Sequence, residues 1–163
     1  MKDVKKVMIW SVGTMVLTLI HHGYGAVIYD EPFRLHVAIF AAPVIMVLQA
    51  TYAGFETVRS LTGRKILLTI FLVVTVVFPV LTIGVYEGGY NHVVKNILYF
   101  AGVPTAILDD LYPSIYELPN DLLFELTGMA QFFSAVKCSA EIYKTSMRRW
   151  LELLNAPSWR ANR

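Results

Sequence analysis

Two stretches limit what this chain can fold into. Val37 to Phe55 runs 19 residues and Ile66 to Tyr86 runs 21 residues without one charged side chain. A helix of about 20 apolar residues crosses a hydrocarbon core of about 30 Å. Neither run alternates in the way a membrane strand does. Only 16% of the 163 residues are charged, against about a quarter in soluble domains, so the apolar runs sit in an apolar chain. The pattern predicts an all-α integral membrane protein.

Taken in order, the chain reads as a four-transmembrane-helix bundle. Lys2, Lys5 and Lys6 precede a first span over residues 7–29, read as retained because no small-residue cleavage site follows it. A polar turn, Asp30 to Arg34, leads to a second span over 35–55, with Pro43 inside it. The third span covers 66–86. Gly88-Gly89 then predicts a break, since paired glycines punctuate helices. Beyond it, His92, Lys95, Asn96 and Tyr99 recur at helical spacing. About 91–103 is therefore expected to be a short amphipathic helix lying along the outer surface. Pro104, Pro113 and Pro119 predict an irregular stretch after it. Asn120 or Asp121 caps a fourth span over 121–143, which Glu125, Gln131 and Lys137 interrupt. The division is thus a membrane domain over 1–144 and a basic tail over 145–163. In that tail Arg148, Arg149, Trp150, Trp159, Arg160 and Arg163 suit an anionic membrane surface.

Charge sets the orientation. Four spans put both termini on one side, with twelve of the 14 Lys and Arg against four acids, a net of +8. Arg34 and Lys95 face eight acids across the membrane, a net of −6. Basic loops stay inside, so both termini are expected in the cytoplasm of a cell whose cytoplasmic (inner) membrane holds the protein. A cysteine placed at Ser114 should then be labelled from outside, and one at Ser158 should not. The lipid bilayer is the implied partner, with other membrane subunits or a second copy open. The small net charge of +2 points to no nucleic acid.

The candidate site follows from depth. His21-His22 lies inside the first apolar run, where an ionisable group is unfavourable and so a functional candidate. His22, His36 and His92 fall at the outer ends of three different elements and are the candidate metal ligands. Glu87, Asp121, Glu125 and Arg34 collect at the same end as candidate ligand-binding groups. Asp121 also has a structural task at a helix N-terminus, whereas Glu125 lies too deep for one. For His21 and His22 together, hydrogen bonds across helices or to backbone carbonyls stand as the alternative to ligation. His22 and Glu125 are expected in one shared polar pocket. Imidazole suits Zn, Cu and Fe, and carboxylates bring in Mn; haem b between His22 and His36 is the weaker alternative. The lone Cys138 excludes an internal disulfide and a multi-thiolate site.

The composite expectation is an outward-facing His/carboxylate pocket for a metal or small polar ligand, redox-active ions included. The alternative is a non-catalytic accessory subunit of a larger membrane complex. A small four-span chain with His22-Gly23 late in its first span resembles DoxX-type proteins, over two residues and a span count, and no role is carried over from it.

Overall fold

The computed structural model describes residues 2–112 and 117–154. Ser114, Ser158 and the tail residues Trp159, Arg160 and Arg163 lie outside the described residues, as do the side chains of Arg148, Arg149 and Trp150. Every regular element among the described residues is helical. Helix α1 spans Lys2–Ile28, a 3-10 turn spans Pro32–Leu35 and α2 spans His36–Thr57. Helix α3, Leu61–Thr75, continues into a π-type segment, Val76–Val94, and then into α4, Lys95–Phe100. Helix α5, Thr105–Leu111, and the long α6, Leu122–Leu154, are the last of the described elements.

Local chemistry accounts for the boundaries. Asp30 takes a left-handed φ of 52° to turn the chain after α1, and Pro32, with its φ already fixed, starts the next turn. The Ser60 hydroxyl accepts from Gly63 N–H and caps α3. Asp121 Oδ1 accepts from Phe124 N–H at 2.8 Å, so Asp121 does cap α6. Gly102, at φ 81°, turns the chain after α4.

Three helical stretches are long and apolar enough to cross a membrane: Asp3–Ile28, Pro32–Thr57 and Leu61–Phe100. Helix α6 is not among them. Its polar residues Glu125, Thr127, Gln131 and Ser134 lower its hydropathy, and they face the protein: Thr127 and Ser134 bond to α1, Glu125 to His92, Lys95 and Asn96, and Gln131 is buried.

The sequence-based expectation of a break at Gly88-Gly89 is wrong. The helix runs unbroken through the pair to Phe100. At Gly88 an added Cβ would meet the backbone of Phe132 and Gly128 on α6. The glycines are there because two helices approach closely, not because the chain turns. The stretch 91–103 is accordingly no separate surface helix. Its polar stripe faces inward, with His92, Lys95 and Asn96 all buried. The irregular stretch expected after Pro104 also contains a helix. Pro104 opens α5, and Tyr112 donates to Tyr90 O while Tyr90 donates to Leu111 O, tying α5 back to the π segment.

Helices α1 and α6 are antiparallel, with a run of polar pairs along the seam between them. Ser11 pairs with Cys138 and Thr75, Thr14 with Ser134, His21 with Thr127 and Tyr24 with Asp121. Residues 11, 14, 18 and 21 share one face of α1. Outer faces are apolar instead: Ile39, Phe40, Met46, Ile66, Val73, Leu81 and Phe133 are all exposed. The apolar core sits toward the N-terminal end of α1, around Val4, Val7, Leu48, Phe55 and Phe71.

Candidate metal centre

Three elements deliver the site. His21 and His22 come from α1, Glu87 and His92 from the π segment, and Glu125 from α6. The π geometry is what joins Glu87 to His92. An α-helix closes a turn in 3.6 residues and sets positions five apart on different faces. The wider i→i+5 turn brings them onto one face. Room for the His92 ring comes from Gly128, where any Cβ would collide with the imidazole. His21 stacks on Phe124, centroids 4.1 Å apart, which fixes its ring plane.

Glu87 Oε1 lies 3.5 Å from His22 Nε2 and 3.8 Å from both His21 Nε2 and His92 Nε2. His21 Nε2 and His92 Nε2 are 3.1 Å apart. The Glu87 distances are long for hydrogen bonds. They match the edges of a coordination shell, since tetrahedral ligands about 2.0–2.1 Å from one ion are about 3.4 Å from one another. His21, His22 and Glu87 form a group whose ligand atoms all lie within 4.8 Å of one another and which could hold a metal ion.

Each of these groups except His22 is held from behind. His21 Nδ1 reaches Thr127 Oγ1 at 3.0 Å, and that hydroxyl spends its own hydrogen on the carbonyl of Leu123 or Phe124. Asn91 Nδ2 donates to Glu87 Oε2 at 2.9 Å. His92 Nδ1 reaches Glu125 Oε2 at 2.8 Å. Glu125 in turn accepts from Asn96 and is 3.3 Å from Lys95 Nζ, which also donates to Glu117 O. Carboxylate or carbonyl partners on the far nitrogen of a histidine are the usual outer shell of a metal site.

Donor and acceptor accounting assigns the protons. Thr127 can only accept from His21, so His21 carries its hydrogen on Nδ1 and presents a bare Nε2. His92 must then donate from Nε2 to His21 and from Nδ1 to the Glu125 carboxylate. Its ring is thus doubly protonated. Two carboxylates, Lys95 and the His92 imidazolium then balance in charge, as a buried cluster requires. The proton between His21 and His92 sits where a cation can replace it.

Among the residues singled out from sequence, His22, His92, Glu87 and Glu125 come together in one cluster. His22 and Glu125 do not pair directly; Glu87 and His92 connect them. His36 stays apart, with Nδ1 2.6 Å from Phe33 O and its ring stacked on Phe33. Arg34 is buried, ion-paired to Glu31 at 2.6 Å and set against the rings of Tyr29 and Phe124. Burial pushes the Tyr29 phenol up to about 12, so it serves Asn120 as a neutral donor. Asp121 caps α6 and accepts from Tyr24.

Sequence reasoning left His21 out of the candidate ligands, although it belongs to the group that could hold an ion, and did not foresee Thr127, Lys95 and Asn96 as its surroundings. The signal for His21 was present: Ser11, Thr14 and Thr18 mark the same face of α1, so His21 points into the protein with them. No family model, no curated protein and no solved structure matches the chain.

Proposed function

We propose that the chain is a cytoplasmic-membrane protein with four membrane-crossing helical rods and one transition-metal ion held between them, toward the outer side. His21, His22, His92 and Glu87 would be its ligands and Glu125 the outer-shell carboxylate behind His92. One observation carries the reading: the ring nitrogens of His21 and His22 and a Glu87 carboxylate oxygen, from two helical elements, lie within 4.8 Å of one another in a largely buried interior, with His92 Nε2 3.1 Å from His21 Nε2. Membrane placement draws support from the inverted distribution of side chains, with polar residues along the α1–α6 seam and large apolar ones on the outside. The +8 and −6 charge split supports cytoplasmic termini. Three imidazoles with one carboxylate suit Zn, Fe, Cu or Mn and leave room for a further ligand on an ion that accepts five or six.

Cobalt titration of the purified, detergent-solubilised protein tests the reading. About one Co2+ per chain should bind with a ligand-field spectrum in the visible. His21→Ala and Glu87→Ala should abolish it, while His36→Ala leaves it intact. Binding must displace the shared proton, so affinity should rise with pH by about tenfold per unit. Stoichiometric binding that survives His21→Ala and Glu87→Ala would place the ion elsewhere.

A further inference from the structure

A cavity of about 440 Å3 lies between α2 and the π segment, closed from behind by α1. Phe33, Phe40, Ala41 and Val44 line one wall, Phe78, Ile83 and Tyr86 the other, and Met15 the back. Its volume falls in the range of small-molecule sites. Two of its lining residues, His22 and Glu87, belong to the metal-ligand group. They are also the two members with residual exposure. His22 is 14% and Glu87 13% accessible, whereas His21 and His92 are 0% and 2%. The cluster therefore has a single open side, and that side faces the cavity. Within this otherwise apolar space, His36 and Arg34 sit beside the His22–Glu87 end.

We infer that this cavity binds a small, uncharged, mainly apolar molecule, with one oxygen donor directed at the His22–Glu87 edge of the cluster. This deepens the metal-centre reading and rests on it for what the polar end meets. The argument for the occupant is the lining. A charged or strongly polar molecule would lose its hydration against Phe33, Phe40, Phe78 and Val44 and find polar groups only at one end, where Arg34 is already paired with Glu31 and His36 with Phe33 O. A purely apolar one would leave the open His22–Glu87 edge of the cluster without a partner. An aromatic alcohol meets both demands: its ring contacts the phenylalanines and its hydroxyl reaches the cluster edge. The cavity is about three times the 150 Å3 that holds a benzene ring, so a monocyclic alcohol fits with space to spare. Entry from the lipid side suits such a molecule, because Phe33, Phe40 and Tyr86 are exposed on the outer surface.

The test uses 4-(trifluoromethyl)benzyl alcohol, followed by fluorine NMR on the purified full chain, in apo and cobalt-loaded form. Saturable binding is expected, weakened at least about tenfold by Val37→Trp or Thr82→Trp, which fill the cavity from its partly exposed walls. In the cobalt form the visible spectrum should shift on saturation. Should cobalt fail to bind at all, the metal reading falls. Saturable probe binding to the apo chain, weakened by both Thr82→Trp and His22→Ala, would still uphold the cavity. Probe affinity unchanged from the parent chain in both tryptophan variants would overturn the proposal. So would binding that leaves the cobalt spectrum unmoved. A tightly held phospholipid found in the cavity by native mass spectrometry, and not displaced by the probe, would also overturn it, because the space would then belong to an acyl chain.

Discussion

The two halves of the α1–α6 seam differ in how they solve one problem. Both bury polar side chains where these two antiparallel helices meet the long helix that runs from α3 through the π segment to α4. In the half near the N-terminus of α1 the groups are neutral and short. Ser11, Thr14 and Thr75 return their hydroxyls to carbonyls one turn back and touch across the seam at 2.8–3.4 Å. In the other half the groups are ionised, reach across three elements and depend on one another for charge balance. Neutral hydroxyls satisfy themselves locally, so losing one costs little. A charged network has no local fallback, so losing one member strands another.

The largest effect is expected from Glu125→Leu. It leaves Lys95 and the His92 imidazolium side by side without their shared anion. Stability should fall by about 3–5 kcal/mol, read as a lowered unfolding midpoint in detergent. A loss no greater than that of a seam hydroxyl would erase the contrast between the halves. Glu125→Gln keeps the shape and an acceptor for His92. It should fold and weaken cobalt binding by about 10–100-fold, as loss of an outer-shell carboxylate does. Gly128→Val should displace the His92 ring, since no Cβ fits at 128, and weaken cobalt by at least about tenfold with helicity retained. Unchanged cobalt affinity would show that His92 is not a ligand.

In the neutral half the changes should be small. Ser134→Ala removes the partner of Thr14, which keeps its bond to Trp10 O, and should cost about 1 kcal/mol. Gln131→Leu should be neutral or stabilising, because both side-chain atoms of Gln131 are buried and find no partner among the described residues. A marked loss of stability in Gln131→Leu would mean that ordered water joins Gln131 and Thr18 to the cluster above, and that the two halves are one network.

What could be read from the sequence follows the same division. Long uncharged runs announced the apolar helices, because span length is a one-dimensional property. The convergence of His22, Glu87, His92 and Glu125 was also legible, since depth along a helix follows from residue count. Rotation about the helix axis was not. Lys95 and Asn96 looked like a solvated stripe because their partner, Glu125, is 29–30 residues away in sequence. The Gly88-Gly89 pair looked like a turn because a glycine that admits a neighbouring backbone and one that ends a helix are identical in a string. His36 fell at the right depth and lines the same cavity, but its ring turns to Phe33 instead of joining the cluster. The i→i+5 winding that sets Glu87 beside His92 left no sequence mark that could be recognised.

The most direct test of the metal centre is X-ray absorption on the zinc-loaded protein, with His21→Ala and His36→Ala measured beside it. The account predicts a first shell of nitrogen and oxygen at about 2.0–2.1 Å with the outer-shell scattering of three imidazoles. One imidazole should be lost in His21→Ala and none in His36→Ala. A shell of water oxygens alone, or an imidazole signal that drops with His36→Ala and not with His21→Ala, would contradict it.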